Sequence, residues 1–176
     1  MTFSTEARRV ILLTTGALIL GSYTYLTTPG INETVREEAR QRRVLQFNPQ
    51  EVVRVEIMYE GESLICQRMP EGWKVEPEMK ELRTGGVADF LQSLKGLIEI
   101  GEVADGLARL PEYGLDRPTT SISLLFEDGN SRTLTLGSYN PGRTSVYTQV
   151  DDTPRVVLVG SVIRWEVRKL FLLAEG

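Results

Sequence analysis

Apolar and polar positions follow different periods along this chain, and each period predicts a different kind of element. Val10 to Leu26 is an unbroken uncharged run of 17 residues directly after Arg8-Arg9. As a helix at about 1.5 Å per residue it spans about 26 Å, close to the ~30 Å hydrocarbon core of a bilayer. Thr27 and Thr28 extend it, Pro29-Gly30 ends it, and Tyr23 and Tyr25 suit the headgroup level. The expectation is one retained transmembrane helix over residues 10–28. A cleaved signal peptide shares the basic start but needs a small-x-small cut site, and Thr and Tyr crowd that region. A buried soluble helix is the third reading.

Gly30 to Asn48 is polar and dense in charge. Thr34 with Glu37 matches a capping box, and Glu38 with Arg42 is a favourable i,i+4 pair. This segment reads as a solvated helical stalk, with docking across headgroups or a partner's rim as the sharper alternative. From Val52 the period becomes two: Val53, Val55, Ile57 and Tyr59 alternate with Arg54, Glu56 and Met58. Turns at Glu60-Gly61-Glu62 and Pro70-Glu71-Gly72 separate that strand from Ser63–Met69 and Trp73–Val75, which predicts an antiparallel meander.

Val87, Phe90, Leu91, Leu94, Leu97 and Ile98 then form one helical stripe, introduced by Gly85-Gly86 and closed by Gly101. Glu102 to Pro118 reads as irregular with a short helix near Leu107–Leu110. Asp128-Gly129-Asn130 joins Thr119–Phe126 to Arg132–Leu136 as a hairpin. Asp151–Pro154 joins Ser145–Val150 to Arg155–Val159 as a second one. Val162, Ile163, Val167, Leu170 and Phe171 mark the core face of a last helix over Ser161–Leu173, with Arg164, Arg168 and Lys169 on its solvent side.

The fold expectation is therefore α+β: a mainly antiparallel sheet of about seven strands, two packed helices and one N-terminal transmembrane helix. The expected organisation is a short cytoplasmic tail (1–9), the transmembrane helix (10–28), a charged stalk (29–47) and an extracytoplasmic domain (48–176). Arg8-Arg9 favours the tail inside, although Arg36, Arg40, Arg42 and Arg43 fall within the same counting window beyond the span.

Charge and composition exclude more chemistry than they suggest. Twenty Lys and Arg against 24 Asp and Glu give a net charge of −4 with no basic stripe, which argues against nucleic acid. Cys66 is the single cysteine, so no intrachain disulfide or thiolate cluster forms, and its strand-like setting reads as a small buried hydrophobe. Histidine is absent altogether. That removes Ser-His-Asp and Cys-His catalysis, histidine-ligated metals and a histidine pH switch.

Few local motifs survive a comparison with ordinary structure. Gly85-Gly86 lacks the surroundings of a phosphate loop and reads as a turn. Gly137 to Arg143 reads as a wide exposed turn in which Tyr139 and Arg143 are candidate partner contacts. Asp151-Asp152 and Glu37-Glu38 do not have calcium-loop spacing, and Glu76, Glu78 and Glu81 around Pro77 read as solvated loop.

One ordered constellation is more specific. Pro70-x-Gly72-Trp73-Lys74-Val75, an apolar helix, Tyr113-Gly114-Leu115-Asp116-Arg117-Pro118, Leu136-Gly137 and Val146-Tyr147 follow one another. In this the chain resembles the DUF4340 domain family over about Val52 to Val159. The resemblance implies a bacterial membrane-anchored protein, often encoded beside ABC transporters of the gliding-motility type. It implies fold-determining, not catalytic, roles for Trp73, Tyr113, Gly114, Leu115, Asp116, Pro118 and Gly137. Gly114 suits a positive-φ turn, Pro118 stiffens the approach to the next strand, Asp116 can satisfy backbone donors, and Trp73 and Tyr113 are expected to pack over that turn.

The functional expectation is a non-catalytic accessory or scaffold subunit of a larger bacterial inner-membrane complex. That complex is an ABC-type transporter or an energy-converting assembly such as a photosynthetic or respiratory one. Its expected partners are integral membrane subunits and the lipid bilayer, with no cofactor and no metal. The small residues Gly16, Ala17, Gly21 and Ser22 allow close helix approach in the span. An extracytoplasmic module that binds a peptide, lipid or glycan is the alternative, and a carboxylate-based hydrolase the third reading.

Overall fold

The computed structural model describes residues 14–23, 37, 41–82, 85–103 and 106–175. The chain divides into two compact units, Met1–Gln41 and Arg42–Gly176. In the first, residues 14–23 are helical (α1) and exposed throughout. Among the described residues no helix is long and apolar enough to cross a membrane. The expected span is described only in its middle, since residues 10–13 and 24–28 lie outside the described set. The stalk is described only at Glu37 and Gln41, both helical, until it meets the second unit.

The second unit is α+β, built on one antiparallel sheet of nine strands in the order β4-β3-β2-β1-β6-β7-β8-β9-β5. The strands are β1 (Val52–Tyr59), β2 (Glu62–Met69), β3 (Gly72–Val75), β4 (Lys80–Glu81), β5 (Glu99–Val103), β6 (Thr120–Phe126), β7 (Ser131–Tyr139), β8 (Ser145–Val150) and β9 (Val156–Gly160). Three helices accompany them: α2 (Gly86–Lys95), the short α3 (Leu110–Tyr113) and α4 (Val162–Glu175). The meander β1-β2-β3 and both hairpins form as their alternation and turn residues dictate. At the Asp128 turn, Oδ1 accepts the Asn130 N–H at 2.9 Å, and Gly129 takes φ +83°. Such a turn favours residues free to leave the ordinary β region.

Period-two alternation gives the sheet two faces. Val55 and Ile57 of β1, Leu64 and Cys66 of β2, Ile122 and Leu124 of β6, and Leu134 and Leu136 of β7 join one core with α2 and α4. Phe90, Leu91 and Leu94 of α2 and Ile163, Val167 and Leu170 of α4 are almost fully buried in that core. Each such side chain contributes about 1.5–3 kcal/mol when removed from water. The helices meet at Gly86, where an added Cβ would come within 2.5 Å of Leu82 Cδ2 and 3.2 Å of Leu173 Cδ1. The second face carries a smaller core of Tyr113, Leu115 and Val156, flanked by Val103, Leu110 and Tyr147. The chain between β5 and β6 thus covers the β8–β9 end of that face.

Several positions depart from expectation. The sheet gains β4 and β5 over the expected seven strands. The α2 stripe stops earlier than its apolar spacing implies: Gly96 caps the helix, donating its N–H to Gln92 and Leu94 carbonyls. Gly101 therefore does not close a helix but lies in β5, which pairs with β9 across an irregularity between Glu99 and Gly101. Ile98 is accordingly 44% exposed. The helical turn near residue 107 is a 3-10 turn at Gly106–Arg109 leading into α3. Arg42 to Phe47 pack with the domain: Glu99 N–H donates to the Arg42 carbonyl, Leu45 is buried, and Phe47 meets Phe126 edge-on at 6.1 Å. Glu76 is not solvated loop, since its carboxylate pairs with Arg54 at 3.0 Å.

Candidate functional site

Tyr113, Gly114 and Leu115, three residues of the sequence signal, converge with a fourth, Gly137, on the C-terminal half of β7. Opposite β8, the register slips between Leu136 and Tyr139, which places Gly137 and Ser138 in a bulge. Bulges of this kind bend a strand and re-aim its side chains. Tyr113 and Gly114 press onto the bulge from the second face. Gly114 caps α3 at φ +67°, returning its N–H toward Leu110 and Pro111 carbonyls. A Cβ on Gly114 would come within 2.5 Å of Ser138 Oγ, and one on Gly137 within 2.1 Å of the Tyr113 carbonyl oxygen. Tyr113 is buried and stacks on Tyr147 at 4.5 Å between centroids, with Leu115 beside it.

The positive-φ turn expected at Gly114 is present, but one expected contact is not. Trp73 does not pack over this turn. It sits on β3, separated from β7 by β2, β1 and β6, where it adjoins the main core under the Arg68 guanidinium at 5.0 Å. Asp116 is exposed, and Pro118 is partly buried two residues before β6.

The loop expected over Gly137–Arg143 is shorter than its composition suggests, because β7 continues through Tyr139. The turn itself is Asn140 to Thr144 and it is well tied. Asn140 Oδ1 accepts the N–H groups of Thr144 and Ser145, both at 3.0 Å, and the Asn140 carbonyl accepts Arg143 N–H at 2.9 Å. Arg143 takes φ +55°, which aims its side chain back over Tyr139 at 4.9 Å. A second guanidinium, Arg164 of α4, lies over the same ring at 5.0 Å.

Arg164 is the residue that sequence reasoning missed. It was expected on the solvent side of the last helix, yet it is partly buried and donates to the Gly137 carbonyl oxygen, while its buried Nε has no partner. Its position one residue after the core position Ile163 was the available signal, since that angle borders the buried face. Gly137 is thus held from both sides of the sheet, and Tyr139 (37% exposed) stands beside it as a fixed aromatic platform with two cations. Cation–π contacts at exposed sites contribute about 0.5–1 kcal/mol each.

Elsewhere the charged groups serve the scaffold. Asp151 accepts the Thr133 N–H at 2.8 Å and pairs with Arg132 at 2.8 Å, so of the two acids Asp151-Asp152 it is Asp151 that ties the turn to β7. Arg155 bridges Glu99 and Glu102 across β9 and β5, both at 2.9 Å. The hydrogen bond from Arg155 holds the Glu102 carboxyl below the usual range, and those from Arg109 and Lys74 do the same for Glu112 and Glu71. Among the described residues no group of three or more acidic or cysteine side chains is placed to hold a metal ion. An open hollow of about 710 Å³ lies between Phe47, Phe126, Glu51, Asp128 and Arg132. Burial pushes the Cys66 thiol up to about 12, in keeping with a packed, unreactive side chain.

Gly16, Ala17, Gly21 and Ser22 all lie on α1. Ala17 and Gly21 share one face at i,i+4, and a methyl group added at Gly16 or Gly21 would meet nothing within 4 Å.

Fold and site together define an α+β domain whose tyrosine–glycine turn locks into a strand bulge. The family model of DUF4340, a domain of unknown function, matches residues 87–165. The resemblance read from the sequence holds over that stretch, which runs from α2 into α4 and contains Tyr113 to Pro118, Gly137, Tyr139, Arg143 and Arg164. Its N-terminal limit is Val87, so the meander with Trp73 lies outside it. No curated protein and no solved structure matches the chain.

Proposed function

We propose that this protein is a non-catalytic accessory subunit of a larger bacterial inner-membrane complex, tethered by one span over residues 10–28. In this reading the α+β domain stands on the extracytoplasmic side. The observation that carries it is the surface of α1: Leu18, Ile19 and Leu20 are 71%, 64% and 70% exposed. Consecutive helical positions are about 100° apart, so these three sweep more than half the helix circumference. A helix apolar around that much of its surface requires apolar surroundings, and a bilayer or neighbouring spans supply them. The Ala17–Gly21 face permits close approach of a second helix.

The domain supplies the recognition surface. Tyr139 with Arg143 and Arg164 combines the residue types that dominate protein interfaces, and it is fixed before any partner arrives. The complex is an ABC-type transporter or an energy-converting assembly. The test is mild detergent extraction followed by identification of co-purifying proteins. Stoichiometric membrane subunits are expected; a protein that runs alone and monomeric defeats the proposal. Exchanging residues 10–26 for an unrelated span then separates recognition in the membrane from recognition by the domain.

A second reading, a binding module for a peptide, lipid or glycan, draws on the hollow lined by Phe47 and Phe126 together with Glu51, Asp128 and Arg132, a mixture that suits an amphipathic ligand. Stabilisation by a ligand in thermal melts, lost in Phe126→Ala, would favour it.

A further inference from the structure

The outward face of α4 is apolar where a surface helix is normally polar. Val162, Trp165 and Leu172 are 60%, 55% and 52% exposed, although the same helix already buries Ile163, Val167, Leu170 and Phe171 in the core. On a helical projection Arg168, Leu172, Trp165, Lys169 and Val162 follow one another around the face opposite the core. The helix is therefore apolar toward the sheet and apolar-basic toward solvent. At its N-terminal end the stripe runs toward Arg164, whose guanidinium lies over Tyr139 beside Arg143.

We infer that this face docks on the headgroup layer of a bilayer containing anionic lipid. Three features select lipid over a protein groove. Trp and Tyr, each with an apolar body and a polar tip, settle at the headgroup boundary. α4 carries Arg164, Arg168 and Lys169 against Glu166 and Glu175; Lys169 and Glu166 pair with each other at 3.9 Å, which leaves Arg164 and Arg168, with Arg143 of the neighbouring turn, against Glu175. This local excess stands out in a chain whose net charge is −4. Finally, Val162 to Leu172 covers about 15 Å of helix, the form of an interfacial helix that lies in the plane of the membrane. The inference rests on the proposed tether, which keeps a bilayer within reach of the domain. Docking holds the Tyr139–Arg143–Arg164 end of this face at headgroup level, where a partner subunit in the same membrane meets it, and the open sheet face around Met58 and Leu125 faces away from the helices.

The test uses the full chain reconstituted in phosphatidylcholine vesicles with and without phosphatidylglycerol. Trp73→Phe leaves Trp165 as the single tryptophan, and acyl-chain bromination reports its insertion. Docking predicts a blue shift and a loss of Trp165 emission in brominated vesicles, larger with phosphatidylglycerol. Arg168→Gln and Lys169→Gln are each expected to lower the docked-to-free ratio about fivefold. Trp165→Phe in the native background gives the same answer by difference, and protection of Cys66 from thiol reagents confirms that each variant is folded. Resistance to alkaline carbonate extraction reads the tether separately. A chain that resists extraction while Trp165 stays unquenched overturns the docking and leaves the tether standing. Lipid-dependent quenching in a chain that carbonate releases supports docking and removes the tether. Quenching that is absent while Trp165 shifts with protein concentration assigns the face to a second copy, and the inference falls.

Discussion

Gly137 lies directly beneath Tyr113, with no room for a side chain between the β7 backbone and the Tyr113 carbonyl oxygen. An added Cβ would stand 2.1 Å from that oxygen and 2.9 Å from Leu115 Cγ. Neither neighbour yields easily, because the first is backbone and the second belongs to the buried patch on Val156. Gly137→Ala must therefore part the tyrosine turn from the strand. Overpacking of this kind costs about 3 kcal/mol, so urea denaturation is expected to show an unfolding free energy lower by that amount. Gly101→Ala, whose added Cβ meets nothing within 4 Å, is the matched control and is expected to change little. Equal losses in both variants would mean that the interlock contributes no stability.

Arg164 and Arg143 look equivalent over the Tyr139 ring but are expected to behave differently. Arg164 also donates to the Gly137 carbonyl and is partly buried, whereas Arg143 sits on the exposed turn. Arg164→Met leaves that carbonyl without its donor and is expected to cost about 1–3 kcal/mol. Arg143→Ala gives up only an exposed cation–π contact, about 0.5–1 kcal/mol. Chemical denaturation of the two variants side by side measures the difference, and a reversed ranking would remove Arg164 from the strand clamp.

How much of this was legible depends on whether a signal was local. The meander and both hairpins were, because alternation and turn residues act within a few positions of each other. β5 was not. Its Glu99-Ile100-Gly101-Glu102-Val103 follows directly on the apolar stripe of α2 and has no flanking turn signal of its own, and pairing with β9, more than 50 residues away, makes it a strand. Gly114 and Gly137 were both legible as motif members, but nothing in their separation reveals that they meet the same strand bulge. Trp73 shows the converse: a residue that shares the sequence constellation yet packs four strands away. Arg164 was hidden because a helical wheel assigns borderline angles by residue type, and the bulge that gives its guanidinium a buried carbonyl exists only after β7 and β8 have paired.

The ion pairs around Arg155 make a small and salt-sensitive contribution. Their carboxylate Glu102 is held below its usual value of 4.5, chiefly by the hydrogen bond from Arg155. A lowered folded-state pKa means that the contribution is present above the unfolded value and is lost as pH falls through the folded one. Thermal melts are thus expected to decline on acidification below about pH 4.5, and the Arg155→Gln variant to decline less. Both groups are exposed, so 1 M salt is expected to erase the difference between the two proteins. A difference that survives high salt would assign the role of Arg155 to packing.

Cys66 makes the domain lose stability as pH rises into the alkaline range. It is fully buried between Val55 of β1 and Val75 of β3, and burial alone raises its thiol from 9.0 to about 12. Between those values the unfolded chain releases a proton that the folded chain keeps. The unfolded state therefore binds fewer protons there, and stability falls as pH rises. The expected loss is about 1.4 kcal/mol per pH unit once pH exceeds the unfolded value, with no contribution below it. Cys66→Ala is expected to decline less steeply over the same range, the raised Tyr59 hydroxyl remaining, after an initial loss of about 1 kcal/mol from the cavity. Cys66→Ser, which buries a hydroxyl where the thiol was, is expected to cost about 1–3 kcal/mol. At pH 8 the native protein should resist iodoacetamide until it is unfolded. Rapid alkylation under native conditions would mean that the β2 strand opens, and that the core on this side of the sheet is less closed than its burial implies.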